Sequence, residues 1–142
     1  MPGTGSTFEN DQLKLIYNAT AIANVADNAS SSPLTNISVA LHTADPSSGN
    51  QSTNETTYGS YARVSVARTS GGWTVTGNSV SPAAVITFPT CTSGTATITH
   101  FSTGPTGGGS TKIFHWGTVS PNIAVSSTVA PQLTTSTTIV LT

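Results

Sequence analysis

Charge is what this sequence lacks most. It has four basic and five acidic residues in 142, or 6% of the chain, where a soluble domain carries about 25%. Without clustered Lys and Arg, nothing displaces counterions from a phosphate backbone, and this excludes an electrostatic nucleic-acid binder. The same scarcity argues against a polybasic membrane-surface protein. No run approaches the roughly 20 apolar residues that a spanning helix requires. Cys91, the single cysteine, cannot close an internal disulfide, so packing alone must hold the fold. Residues 1–20 contain neither a basic start nor an apolar stretch of signal-peptide length, and no secretion signal is expected.

Hydroxyls take the place of charge: 20 serines and 27 threonines. Asn-x-Ser/Thr sequons at Asn18, Asn28, Asn36, Asn50 and Asn54 follow largely from that abundance and weakly support glycosylation. Low net charge removes the self-repulsion that keeps monomers apart. Such a surface suits a protein packed in an assembly.

The period of the apolar pattern divides the chain. Met1–Gly5 reads as an arm with nothing to bury. Ser6-Thr7-Phe8-Glu9 matches a capping box, with Asp11 in the first turn where the helix dipole favours it. Phe8, Leu15 and Ile16 then share a helical face that Leu13 and Tyr17 broaden, predicting a helix over 7–19. Asp27–Leu34 reads as a linker. From Thr35 the period becomes two, with Ile37, Val39 and Leu41 inward and Ser38, Ala40 and His42 outward. Asp45-Pro46 closes that strand, and Ser47–Gly59 is a long polar loop without an apolar anchor. Further strands are expected at 61–69, 73–76, 84–88, 95–101, 111–118, 123–128 and 137–141, with a turn at Gly77-Asn78. The expected fold is mainly β: an antiparallel, jelly-roll-like β-sandwich over 35–142, preceded by an arm, short helix and linker over 1–34.

Few residues are free for chemistry. Glu9 and Asp11 serve the helix start and Asp45 a turn, leaving Asp27 and Glu55 with no sign that they meet as an acid/base pair. His42, Asp45, Cys91, His100 and His115 lack the close spacing of a zinc site. His100 and His115 flank the glycine-rich loop and are placed to pair across a hairpin, most simply as packing. Cys91 reads as a small buried or loop residue. Gly104–Lys112 fails as a phosphate loop because Ser110, not Lys, follows Gly109. There is no Gly-x-Ser-x-Gly elbow. Trp116 alternates with Phe114 on one strand face, as core packing or an interface. No catalytic residue, metal site or cofactor is expected.

The segments Ala40-Leu41-His42-Thr43-Ala44-Asp45-Pro46, Tyr61-Ala62-Arg63-Val64, Trp73-Thr74-Val75, Ala84–Pro89 and Thr99-His100-Phe101 carry a resemblance. They are similar to small proteins encoded in tailed-phage structural gene clusters, commonly labelled tail-fibre or virion proteins. The similarity covers most of the chain from Thr35 and weakens from Lys112 to Thr142. It implies a virion component and carries no catalytic residue. Without coiled-coil heptads or a collagen-like repeat, the expected role is a capsid decoration (cement) protein. It would bind the major capsid protein and copies of itself, and stabilise the head by mass action. The alternative is a tail-fibre or receptor-binding domain that contacts host-surface glycans through Tyr58, Trp73 and the 47–59 loop. Phe8, Leu15, Ile16, Arg63 and Trp116 are the expected interface residues, Arg63 pointing away from the core toward a partner.

Overall fold

A computed structural model describes residues 6–21, 34–47, 50–106 and 112–141, with side chains from Glu9 onward. The expected arm at Met1–Gly5, the Phe8 side chain and the glycine-rich tip at 107–109 lie outside the described residues. The chain is mainly β, with antiparallel sheets and one short N-terminal helix, and its contacts group into two compact units.

One unit contains the helix α1 (Ser6–Asn18) and a sheet ordered β3 (Trp73–Thr76), β4 (Ser79–Pro82), β9 (Ile139–Val140). Leu13 and Tyr17, one helical turn apart, are fully buried, and Tyr17 meets Trp73 edge-on at 4.7 Å. Leu15 and Ile16 are only half-buried. The buried face is therefore centred on residues expected only at its margin, because the helix packs on β3 and β4 along the Leu13–Tyr17 line. At the C-terminal end Ala19 enters the left-handed region at φ 55°, and the Thr20 N–H returns to the Lys14 carbonyl at 3.1 Å. Arg68 takes up carbonyls that the helix end leaves without intrahelical partners. Its guanidinium donates to Leu15 O, to Ile16 O at 2.5 Å and to Leu34 O at 3.0 Å.

Gly77-Asn78 closes the β3–β4 hairpin as expected, with Thr76 opposite Ser79 and Gly77 at φ 59°. The sequence pattern did not resolve β4 as a strand. Its apolar content is one inward residue, Val80, and pairing with Val75 and Ile139 makes it a strand.

The other unit is built on a sheet ordered β2 (Val64–Ala67), β1 (Asn36–His42), β6 (Ala96–Pro105), β7 (His115–Val125), with β5 (Ile86–Thr87) paired to β8 (Gln132–Leu133). β7 joins the two strands expected at 111–118 and 123–128. Pairing passes from His100↔Thr118 to Ile98↔Ile123, so Val119–Asn122 bulge opposite the single residue Thr99. Pro121 sits in that bulge, where no ladder donor is needed. β1 departs from the expected alternation. Ser38, Ala40 and His42, read as outward-facing, are 5%, 0% and 0% exposed. What covers them is the polar 50–56 segment.

Candidate functional site

Ser38, Ala40 and His42 lie opposite Gly104, Ser102 and His100 on β6, so their side chains share one sheet face. The 50–56 segment lies over this face and is held locally by short polar turns. Asp45 accepts from the Ser47 N–H at 2.8 Å, which holds its carboxyl below the usual carboxylate range. Asn50 accepts from the Ser52 N–H at 2.8 Å, and Asn54 adopts φ 54°. Glu55 then forms an antiparallel bridge with His42, flanked by Thr43 N–H to Asn54 O at 2.9 Å and Thr56 N–H to Leu41 O at 3.0 Å. The loop expected to lack an anchor has a polar one.

That anchor is a chain of buried hydrogen bonds. His42 Nδ1 lies 2.9 Å from Thr53 O, and His42 Nε2 lies 2.8 Å from Ser102 Oγ. A carbonyl only accepts, so a neutral ring carries its proton on Nδ1 and receives the Ser102 hydroxyl at Nε2. Ser102 Oγ in turn accepts from Gln51 Nε2 at 3.4 Å, and that amide also donates to Ser38 O at 3.2 Å. Gln51 is fully buried, and its Oε1 accepts from Arg63 Nη1 at 3.3 Å. Gly104 is required by this packing: a Cβ there would lie 2.7 Å from the Gln51 amide and 2.3 Å from Lys112 O.

At the surface end Arg63 grips Glu55 bidentately, Nε to Oε1 and Nη2 to Oε2, each at 2.7 Å. Hydrogen bonding to Glu55 raises the Arg63 pKa above its ordinary value. The Tyr61 hydroxyl donates to Glu55 Oε1 at 2.9 Å and accepts from the Leu41 N–H at 3.0 Å; burial pushes this phenol up. Tyr61 meets Tyr58 edge-on at 5.3 Å and stacks on Phe88 at 6.4 Å. Above these residues lies an open groove of about 690 Å³ lined by Glu55, Thr56, Tyr58, Gly59, Tyr61 and Arg63 among others.

Ser102 and His42, with Thr53 O behind the ring, have the spacing of a nucleophile and its base. Both side chains are fully buried, so no substrate reaches the hydroxyl in this arrangement. Glu55 is committed to Arg63 and Tyr61, while Asp27 lies outside the described residues. His100 and His115 do not face each other: the register sets them opposite Thr118 and Thr103. No group of three metal-ligating side chains occurs among the described residues. Cys91 is buried, its thiol directed to the Ser93 carbonyl at 3.3 Å.

Tyr58 and Trp73, the rings that the receptor-binding alternative would use on sugars, are 4% and 2% exposed. Neither offers a face. Trp116 is 42% exposed, 6.0 Å from the His100 ring. Leu15 and Ile16 have carbonyls engaged by Arg68, and Arg63 has its partners within the chain. Sequence reasoning missed Gln51, Thr53 and Ser102. A signal existed only for the ion pair: with so few charges, Glu55 and Arg63 are the opposite signs that a polar loop and the next strand bring together.

An antiparallel β framework that carries a buried polar network defines a β module. Residues 15–138 match the family described as Podophage GP4 fiber I protein gp80, and the chain belongs to that family. This makes it a phage virion structural protein, as the resemblance implied, and the match continues through the region after Lys112 where that resemblance weakened. A search of curated proteins returned no match.

Proposed function

We propose that this chain is a β-structured module of a phage fibre, working as a structural part without catalysis. The fibre description of the family matched over residues 15–138 carries this reading and favours it over the capsid decoration role. Low charge and a hydroxyl-rich surface support close packing against copies of the same chain. Trp116, exposed at 42% on β7, is the ring we assign to contact with a neighbouring subunit.

Gold-labelled antibody against this chain, imaged on intact virions by electron microscopy, tests the location. Label on fibres supports the reading. Label over the head surface, with heads releasing DNA at a lower temperature once the protein is stripped, would return the role to capsid decoration. Adsorption competition with the purified chain separates the remaining roles: blocked adsorption assigns it to host contact, unblocked adsorption to the fibre's framework.

A further inference from the structure

Two titratable side chains tie the 50–56 segment down: its own Glu55, through Arg63 and Tyr61, and His42 beneath it on the β1–β6 face. His42 donates to Thr53 O on that segment, and its other nitrogen receives the hydroxyl of Ser102 from the sheet. The groups facing His42 are Glu55 from the covering segment, Arg63 just before β2, and His100 across the β1–β6 ladder. Glu55 is spoken for by Arg63 and Tyr61. We propose that His42 is an acid-sensitive latch, whose protonation frees the 50–56 segment from β1 and opens the groove while the β1–β6 ladder stays paired.

The chemistry at the latch is a change of one acceptor into a donor. With Nε2 protonated, the Ser102 hydroxyl proton loses its acceptor, and the Ser102 oxygen faces two donors, His42 and Gln51. A cation is also left in a fully buried ring, where desolvation, with smaller repulsion from Arg63 and His100, outweighs the support that the Thr53 carbonyl and Glu55 give the charged form. Burial already holds the His42 pKa below its ordinary 6.5. The folded segment therefore binds fewer protons than the open one, and closure is fully favoured above pH 6.5 and lost as pH falls below it. Within the 50–56 segment, backbone bridging to the end of β1 is confined to Asn54–Thr56, so the segment has few ladder bonds to resist opening.

The test is an NMR titration of the full chain from pH 8 to pH 4, reading histidine ring nitrogens together with amide hydrogen exchange. At pH 8 the His42 ring is expected as the Nδ1–H tautomer. On acidification, the Thr56 amide, bonded to Leu41 O, should lose protection in step with His42 protonation while β1–β6 amides keep theirs. Ser102→Ala removes the hydroxyl that favours the neutral ring and should move this opening to higher pH; one pH unit reads as a tenfold change in the opening equilibrium. His115, also lowered by burial, is the control: His115→Gln should leave the midpoint unchanged. Protonation of His42 with the Thr56 amide still protected, loss of the whole sheet in the same step, or a midpoint that follows His115→Gln would each overturn the latch.

Discussion

Gly104, Arg68 and Thr56 are the residues at which single atoms decide the most. Gly104→Ala drives a Cβ into the Gln51 amide and the Lys112 carbonyl. Such overpacking costs typically 1–3 kcal/mol, expected as a lower urea midpoint with an unchanged slope. Arg68→Ala strips donors from the carbonyls of Leu15, Ile16 and Leu34; hydrogen bonds to a charged group are worth about 1.5–3 kcal/mol. A thermal melt should show that loss, with Arg68→Lys recovering only part, since one ammonium lacks the guanidinium's fork. Thr56 runs the other way. Its buried hydroxyl has no partner among the described residues, so Thr56→Val is expected to be neutral or to raise the midpoint slightly. None of these roles was legible in the sequence, because Gly104 and Arg68 act on residues distant in the chain and Thr56 through its burial.

At the scale of elements, the helix was legible and its orientation was not. The capping box and apolar spacing marked residues 7–19, within a residue of the observed Ser6–Asn18. Phe8, Leu15, Ile16, Leu13 and Tyr17 lie on neighbouring positions around the helix, however, and only the sheet beneath selects which of them is buried. Leu13→Ala should therefore destabilise the helix–β3–β4 unit by about 2–5 kcal/mol. Near-ultraviolet circular dichroism of the Tyr17–Trp73 pair should weaken with it. Removing residues 1–18 should shift Trp73 fluorescence to the red. An unshifted spectrum would mean that the ring is covered without the helix. Strands followed the same rule. β1 and β3 stood out because their alternation is regular, whereas β4 and β8 are strands only because a partner pairs with them.

For the whole molecule, scarcity of charge has a measurable consequence. Ionic strength acts on exposed charges, and the ion pair in the candidate site is only 26% and 16% exposed at its two side chains. The thermal midpoint is expected to change by no more than about 3 °C, on the order of 1 kcal/mol, between roughly 0.05 M and 0.5 M sodium chloride. A steep rise or fall would point to screened surface charges as a main stabilising or destabilising force.

Composition and periodicity by themselves determined that the chain is mainly β with one short N-terminal helix, that no disulfide holds it, and that its surface is hydroxyl-rich. These are local properties: side-chain period, turn residues and charge count act within a few positions along the chain. Only the tertiary structure decided that His42, Gln51 and Ser102 form one buried network, that Tyr58 and Trp73 are covered, and that Arg63 turns back onto Glu55. The reason is the sheet register. It sets residues 38–42 opposite 100–104 and leaves one polar face that a loop from a third part of the chain must satisfy, because a buried polar group without a partner is costly.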